Sequence, residues 1–120
     1  MRMGVLASVL AGLAVAAGAF GAHALRGRLD PAAESAFETA VRYQLVHTLA
    51  LLFASERATK QSSTWARYAA IAFVAGIALF SGSLYALALG APRAVGFVTP
   101  LGGLSFLAGW ALLAVSYRAG

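Results

Sequence analysis

Long apolar stretches alternate with short polar ones along the chain, and this pattern predicts four helices. The stretch over 3–25 carries no formal charge and is long enough to cross a bilayer, which takes roughly 20 apolar residues. The sequence therefore predicts an all-α, integral membrane four-helix bundle with antiparallel up-down connectivity, in one membrane domain over 1–120. The expected helices are helix 1 at about 3–25, helix 2 at about 31–55, helix 3 at about 65–89 and helix 4 at about 100–117.

Capping residues indicate where the predicted helices begin. Asp30 is a good N-cap because its carboxylate accepts hydrogen bonds from free backbone N–H groups. Pro31, at the first helical position, loses no hydrogen bond there. A hydroxyl residue within 62–64 is expected to cap helix 3, at the end of a polar linker over 56–64.

Two boundaries have an alternative. Helix 4 is expected to begin at Pro100 after an interfacial loop over 93–98, but a longer helix kinked at Pro100 fits the same pattern. The first apolar stretch has the small-x-small pattern of a signal peptide cleavage site at 22–24. Its apolar run is longer than the core of a signal peptide usually is, which favours an uncleaved span.

Helix 2 is the least apolar of the four. Its uncharged part, over 43–55, has 13 residues, too few to cross a membrane alone. Part of the charged stretch must therefore lie at membrane depth. Glu34, Glu38 and Arg42 repeat every four residues, with each acid before its basic partner, the favourable order for a helical ion pair. An isolated charge at this depth is costly, so Glu38 and Arg42 are expected to pair with each other or with a bound anion.

Composition narrows the function classes. Of the 120 residues, 61% are hydrophobic and 11% charged, and the mean hydropathy is +0.80, which excludes an ordinary soluble domain. There is no cysteine, which excludes disulfides, thiolate nucleophiles and soft-metal cages. The net charge of +5 is spread singly between apolar runs, so lipid headgroups suit it better than nucleic acid. No cofactor and no metal site are expected.

The distribution of basic residues predicts an orientation. With four spans, the side that holds both termini and the 56–64 linker carries five basic residues, against three or four on the other side. The positive-inside rule therefore favours both termini in the cytoplasm of a bacterial cell.

Most polar side chains are expected in the half of the membrane that faces the loops between helices 1 and 2 and between helices 3 and 4. This placement follows from laying the four helices antiparallel at about 1.5 Å per residue. It predicts a polar pocket open toward those loops. The expected pocket residues are His23, Glu38, Arg42, Tyr43, Gln44, His47, Ser81, Ser83, Tyr85 and Thr99.

Small residues recur every four positions on several helices. Gly4, Ser8, Gly12 and Ala16 form one such row; Ala78, Gly82 and Ala86 form a second, and Ser105 with Gly109 a third. Small residues at this period let helix backbones approach each other closely in lipid, so these rows are expected to be packing faces.

Four sequence segments, in order, are similar to a known family. They are GAFGAHAL at 18–25, FETAVRYQLVH at 37–47, LFSGSLY at 79–85, and TPLGG at 99–103 followed by GW at 109–110. Together they resemble the YgdD/YwdK-like family of small bacterial inner-membrane proteins, which has a mitochondrial branch in eukaryotes. The resemblance implies four spans and an inner-membrane location, but no activity. The family's motifs include most of the expected pocket residues.

These observations favour a non-enzymatic binding or accessory protein of the bacterial inner membrane. Its expected partners are a lipid headgroup, a small amphiphile, or another subunit of a homo-oligomer or larger membrane complex. One rival is a small oligomeric transporter or proton-coupled carrier, in which Glu38, Arg42 and His47 would be the moving charges. A second rival is a haem protein, but His23 and His47 are expected about 12 Å apart in depth, which disfavours shared axial ligation.

Overall fold

The computed structural model describes residues 2–119, and its regular structure there is helical throughout. It holds four long helices and no strand over those residues, which confirms the predicted all-α class. The helices are α1, Arg2–His23; α2, Pro31–Lys60; α3, Thr64–Ala88; and α4, Thr99–Ala119. Within 2–119, α1, α3 and the stretch Arg93–Ala119 that includes α4 are long and apolar enough to cross a membrane.

The helix starts follow the predicted caps. The Asp30 carboxylate accepts a hydrogen bond from the Ala33 N–H at 2.7 Å, with Pro31 as the first residue of α2. Of the three hydroxyl residues expected to cap the third helix, Ser63 does so, accepting from the Ala66 N–H at 3.1 Å. Each side chain replaces a backbone partner that a helix start lacks.

α2 continues past the end expected near Ser55, and most of the expected linker over 56–64 is helical. Glu56 and Lys60 form an ion pair at 3.1 Å, four residues apart with the acid first. Basic residues in the last turn also favour the helix C-terminus, where backbone carbonyls lack partners. The linker is thereby reduced to the short turn over 61–63.

Two segments have helical geometries other than α. Within α3, Ile77–Ser81 is a π-helical turn. The segment expected as a loop over 93–98 is instead mostly a 3₁₀-helix, Arg93–Phe97, which leads into α4 at Thr99. The N–H of Val98 bonds to the Val95 carbonyl, as expected of a 3₁₀ turn. Thus the chain neither runs as a loop here nor continues as one kinked α-helix.

The buried residues of α2 include the polar side chains of Gln44, His47, Thr48 and Ser55. It packs against α1 on one side and α3 on the other, whereas α1 packs mainly against α2. Because it contacts helices on two sides, α2 can bury polar side chains, whereas the buried residues of α1 are Ala7 and Ala14. This explains why the most polar helix lies inside and the apolar α1 at the edge.

α3 and α4 are held together at very short range. A Cβ atom at Gly102 would lie 2.3 Å from the Phe80 backbone nitrogen. At Gly109 it would lie 2.6 Å from the Phe73 ring. Gly102 thus lets the backbones of α3 and α4 approach each other, and Gly109 leaves room for the Phe73 ring.

The glycines of the first two predicted small-residue rows behave differently. A Cβ atom at Gly4, Gly12 or Gly82 would meet no described atom within 4 Å. The prediction that the first two rows pack is therefore wrong within the chain, because these glycines face away from the neighbouring helices, whereas the row of Ser105 and Gly109 does pack against α3.

Candidate functional site

Gln44 lies at the centre of a closed hydrogen-bond network. Its side chain is buried on α2, and its Nε2 donates to the Leu10 carbonyl of α1 at 2.8 Å. The Tyr85 hydroxyl of α3 donates to Gln44 Oε1 at 2.7 Å. One amide thus links three helices, and Tyr85 also packs edge-on against Phe37, with ring centroids 5.2 Å apart.

Two serines of α3 make separate hydrogen bonds to neighbouring helices, and these bonds together with those of Gln44 form what we call the closed network. Buried Ser81, at the end of the π-helical turn, donates to the Ala40 carbonyl of α2 at 2.8 Å. Ser83 and Thr99 share a short hydrogen bond between their hydroxyls, which joins α3 to the first residue of α4. These polar side chains therefore bind the helices to each other rather than facing an open pocket.

His47 is held in one neutral tautomer by two hydrogen bonds. Its Nδ1 lies 2.8 Å from the Tyr43 carbonyl, which can only accept, so Nδ1 carries the proton. The Trp110 indole N–H donates to Nε2 at 3.1 Å, so Nε2 carries none. The imidazole also stacks on Phe106, with centroids 3.6 Å apart. A proton carrier at His47 would first have to break the Trp110 bond.

The haem hypothesis does not fit this geometry. The Nε2 lone pair of His47 is directed at Trp110, and Nδ1 is protonated. His23 lies exposed at the C-terminal end of α1. Neither histidine offers an axial ligand aimed at a shared site.

A second polar region is an open groove between α1 and α2. Its volume is about 420 Å³. Four charged side chains line it, two basic and two acidic, and the other lining residues are apolar. The charged residues are Arg26, Glu34, Glu38 and Arg42; the apolar ones include Gly18, Ala22, Leu25, Leu29, Phe37 and Val41.

The expected ion pair between Glu38 and Arg42 is not formed. Over residues 2–119, the one ion pair joins Glu56 and Lys60, and no side-chain hydrogen bond involves Glu38 or Arg42. A helical pair of this kind contributes only about 0.2–0.5 kcal/mol, too little to fix two long side chains at an exposed position. The groove therefore presents charges that have no partner within the described chain.

The structure thus divides the expected pocket into separate regions. Gln44, Ser81, Ser83, Tyr85 and Thr99 belong to the closed network. Glu38 and Arg42 line the open groove, together with Arg26 and Glu34, which the sequence did not assign to it. His47 instead contacts an aromatic cluster formed by Phe73, Phe106 and Trp110. Tyr43, about 40% exposed, lies beside that cluster, and His23 lines neither region.

Two further contacts were not anticipated from the sequence. Trp110 is the partner of His47, although 63 positions separate them. Arg57 donates from Nε to the Ser116 hydroxyl at 3.0 Å and from its terminal nitrogen to the Ser116 carbonyl at 2.9 Å. Its guanidinium also lies over the Tyr117 ring, 3.8 Å from the centroid. An indole N–H or a guanidinium near a membrane requires a partner, but the pattern alone does not identify it.

Comparison with known proteins identifies relatives of the chain. It matches the family model described as "Protein of unknown function (DUF423)" over residues 17–103. The UPF0382 inner membrane protein YgdD of Escherichia coli K12 is 42% identical over 111 residues, covering 92% of this chain and 85% of that protein. A UPF0382 membrane protein of Staphylococcus haemolyticus is 41% identical over 114 residues, covering 93% and 91%.

A UPF0382 membrane protein of Haemophilus influenzae is 44% identical over 100 residues, covering 83% of this chain and 80% of that protein. No solved structure matches the chain. The matches confirm the family resemblance drawn from the motifs. Together with three membrane-capable helices among the described residues, they place the chain in the bacterial inner membrane.

Proposed function

We propose that this chain, which belongs to the DUF423 (UPF0382) family of membrane proteins, is a non-enzymatic phospholipid-binding protein. The binding site is the groove between α1 and α2. The observation that supports this is the presence of two arginines and two carboxylates beside an apolar groove, with no ion pair among them within residues 2–119. Charges left unpaired near a membrane are favourable only when solvent or a ligand compensates them.

The charge pattern of the groove favours a zwitterionic headgroup. Arg26 and Arg42 can bind a phosphate through charge-assisted hydrogen bonds. Glu34 and Glu38 can accept from an ammonium group. Phosphatidylethanolamine carries both groups on one headgroup, and the apolar wall of the groove would contact its acyl chains. An anionic lipid without an amine would leave the carboxylates uncompensated.

In this proposal the four helices cross the membrane alternately, as an up-down bundle. The order of contacts supports it. Early residues of α1 meet later residues of α2, as in Leu10 with Gln44, whereas late α1 meets early α2, as in Gly21 with Phe37. α3 and α4 show the same reversed order. Examples are the contact of Ser105 with the Ala72 carbonyl and that of Thr99 with Ser83.

With both termini in the cytoplasm, as the charge distribution favours, the groove faces the outer leaflet. This orientation is part of the proposal. Labelling of single cysteines at positions 28 and 60 with a membrane-impermeant reagent tests it. Reaction at position 28 and protection at position 60 in intact spheroplasts are expected, and the opposite pattern would reverse the orientation.

Native mass spectrometry of the detergent-purified protein tests the binding site. The protein is titrated with phosphatidylethanolamine and, separately, with phosphatidylcholine, whose quaternary ammonium cannot donate a hydrogen bond. We expect tighter binding of phosphatidylethanolamine and about tenfold weaker binding after Arg42→Gln, since a charge-assisted hydrogen bond contributes about 1.5–3 kcal/mol.

Arg28→Gln is the matched control. Arg28 lies in the same turn as Arg26, next to the groove, but does not line it. Equal binding of lipid by the wild type and Arg42→Gln proteins would contradict the proposal. An equal loss of lipid binding in Arg42→Gln and in Arg28→Gln would also contradict it. The same spectra count subunits, which tests the expectation of a homo-oligomer.

A further inference from the structure

A second cleft lies at the opposite end of α1. Its volume is about 600 Å³. It exists because α1 packs mainly against α2, while α3 packs against α2 and α4, so that α1 and α3 stand apart. The residues that line it are Arg2, Met3, Ser55, Ala58, Thr59, Ser62, Arg67, Ala70 and Ile71.

The charges in this cleft have one sign. Arg2 and Arg67 are exposed, they come from different helices, and no carboxylate lines the cleft. The nearby Glu56 lies on a neighbouring groove and is paired with Lys60 at 3.1 Å. The cleft therefore differs from the α1–α2 groove, in which basic and acidic residues are balanced.

Hydroxyl groups add neutral donors to the cleft. Ser55, a buried residue of α2, contributes its hydroxyl-bearing side chain to this lining. Thr59 and Ser62 lie on the same lining. The remaining wall is apolar, with Met3 and the half-exposed Ile71. Two guanidiniums, three hydroxyl side chains and an apolar wall match the phosphate, the polar head and the first acyl carbons of a lipid.

We propose that the α1–α3 cleft binds an anionic diacyl phospholipid, with phosphatidylglycerol as the representative headgroup. Arg2 and Arg67 would bind the phosphate from two sides. The hydroxyls would donate to its ester oxygens or accept from the glycerol. This inference does not depend on the groove, because different residues and a different charge pattern carry it.

The test is a titration with phosphatidylglycerol and, separately, phosphatidylethanolamine, followed by native mass spectrometry. Arg2→Gln and Arg67→Gln should each weaken phosphatidylglycerol binding about fivefold, and the double variant about 25-fold, given the contribution of a basic residue at an anionic surface. Phosphatidylethanolamine binding should change less than twofold. Arg42→Gln should weaken the binding of phosphatidylethanolamine and leave that of phosphatidylglycerol nearly unchanged. The two sets of variants therefore distinguish failure of the cleft site from failure of the groove site.

Arg118→Gln is the control, because Arg118 is exposed near the same end of the molecule and does not line the cleft. Arg67→Lys keeps the charge and should retain most of the binding. Unchanged phosphatidylglycerol affinity in the double variant, or an equal loss in Arg118→Gln, would overturn the proposal. Displacement of the lipid by soluble glycerol 3-phosphate at equal concentration would also overturn it, because the site would then recognise a free phosphate.

Discussion

Two polar regions of α2 lie side by side and have opposite properties. In the closed network, the Gln44 amide is bonded to the Leu10 carbonyl and to the Tyr85 hydroxyl. In the open groove, Glu38 and Arg42 have no ion pair over residues 2–119. The comparison teaches that polar residues of α2 serve structure where the chain supplies their partners. They remain available for a ligand where it does not. Substitutions in the two regions should therefore separate stability from binding.

The largest effect on stability is expected at Gly102, where α3 and α4 approach each other closely. Gly102→Ala places a methyl group against the Phe80 backbone. The backbone of a helix cannot shift to relieve this contact, whereas the end of a flexible side chain could. We expect the free energy of unfolding to fall by about 3 kcal/mol. Reversible unfolding in detergent micelles measures it. Gly103→Ala is the matched control, since a Cβ there meets only the Phe80 ring, at 3.9 Å. A similar loss in both variants would mean that the close approach is not the cause.

A smaller loss is expected at the centre of the network. Gln44→Leu removes the amide that links three helices and leaves the Tyr85 hydroxyl without its acceptor. The free energy of unfolding should fall by about 1–2 kcal/mol. A double-mutant cycle with Tyr85→Phe measures the coupling between the two side chains. Additive effects of the two substitutions would show that the hydrogen bond contributes nothing to stability.

The contact between Trp110 and His47 should contribute less to the free energy of unfolding than the Gln44 amide does. Trp110→Phe keeps an aromatic ring but removes the N–H that donates to Nε2. We expect a loss of about 0.5–1 kcal/mol. Nitrogen NMR of the wild type should show a protonated Nδ1 and an unprotonated Nε2 at His47. Trp65→Phe, on an exposed tryptophan, is the control and should change neither quantity. A protonated Nε2 in the wild type would contradict the assigned tautomer.

The smallest effect on stability is expected in the groove. Arg42→Gln and Glu38→Gln remove charges that form no ion pair over residues 2–119, so each should change the free energy of unfolding by less than about 0.5 kcal/mol. The same micelle unfolding experiment, without added lipid, measures this. A loss above 1 kcal/mol would show that these residues stabilise the helix pair, and the distinction between the two regions would fail.

Much of the fold could be predicted because it depends on local pattern. The apolar run of α1 and the Asp30 cap required no knowledge of distant residues. The extension of α2 through Glu56 and Lys60 was predictable in principle from their spacing, but the polar composition of 56–64 suggested a linker. The π-helical turn Ile77–Ser81 has no comparable sequence signal.

The site was only partly predictable, because depth along a helix is easier to derive than direction around it. Gln44 and Tyr85 were expected at one depth, and they do meet. Arg42 was expected at a similar depth, but it faces the groove with α1. A difference of two positions turns a side chain by about 200° around the helix, so neighbours in sequence enter different regions. Only the packing of α1 and α3 decides which.

The π-helical turn Ile77–Ser81 determines the rotational phase of the last part of α3. A π turn takes in one residue more than an α turn, and one residue corresponds to about 100° of rotation. If this segment were wound as an ordinary α-helix, Ser83 and Tyr85 would point about a quarter turn or more away from Thr99 and Gln44. Deleting one residue from this segment would allow an unbroken α-helix. Ser83 and Tyr85 would then point in the directions that they have now.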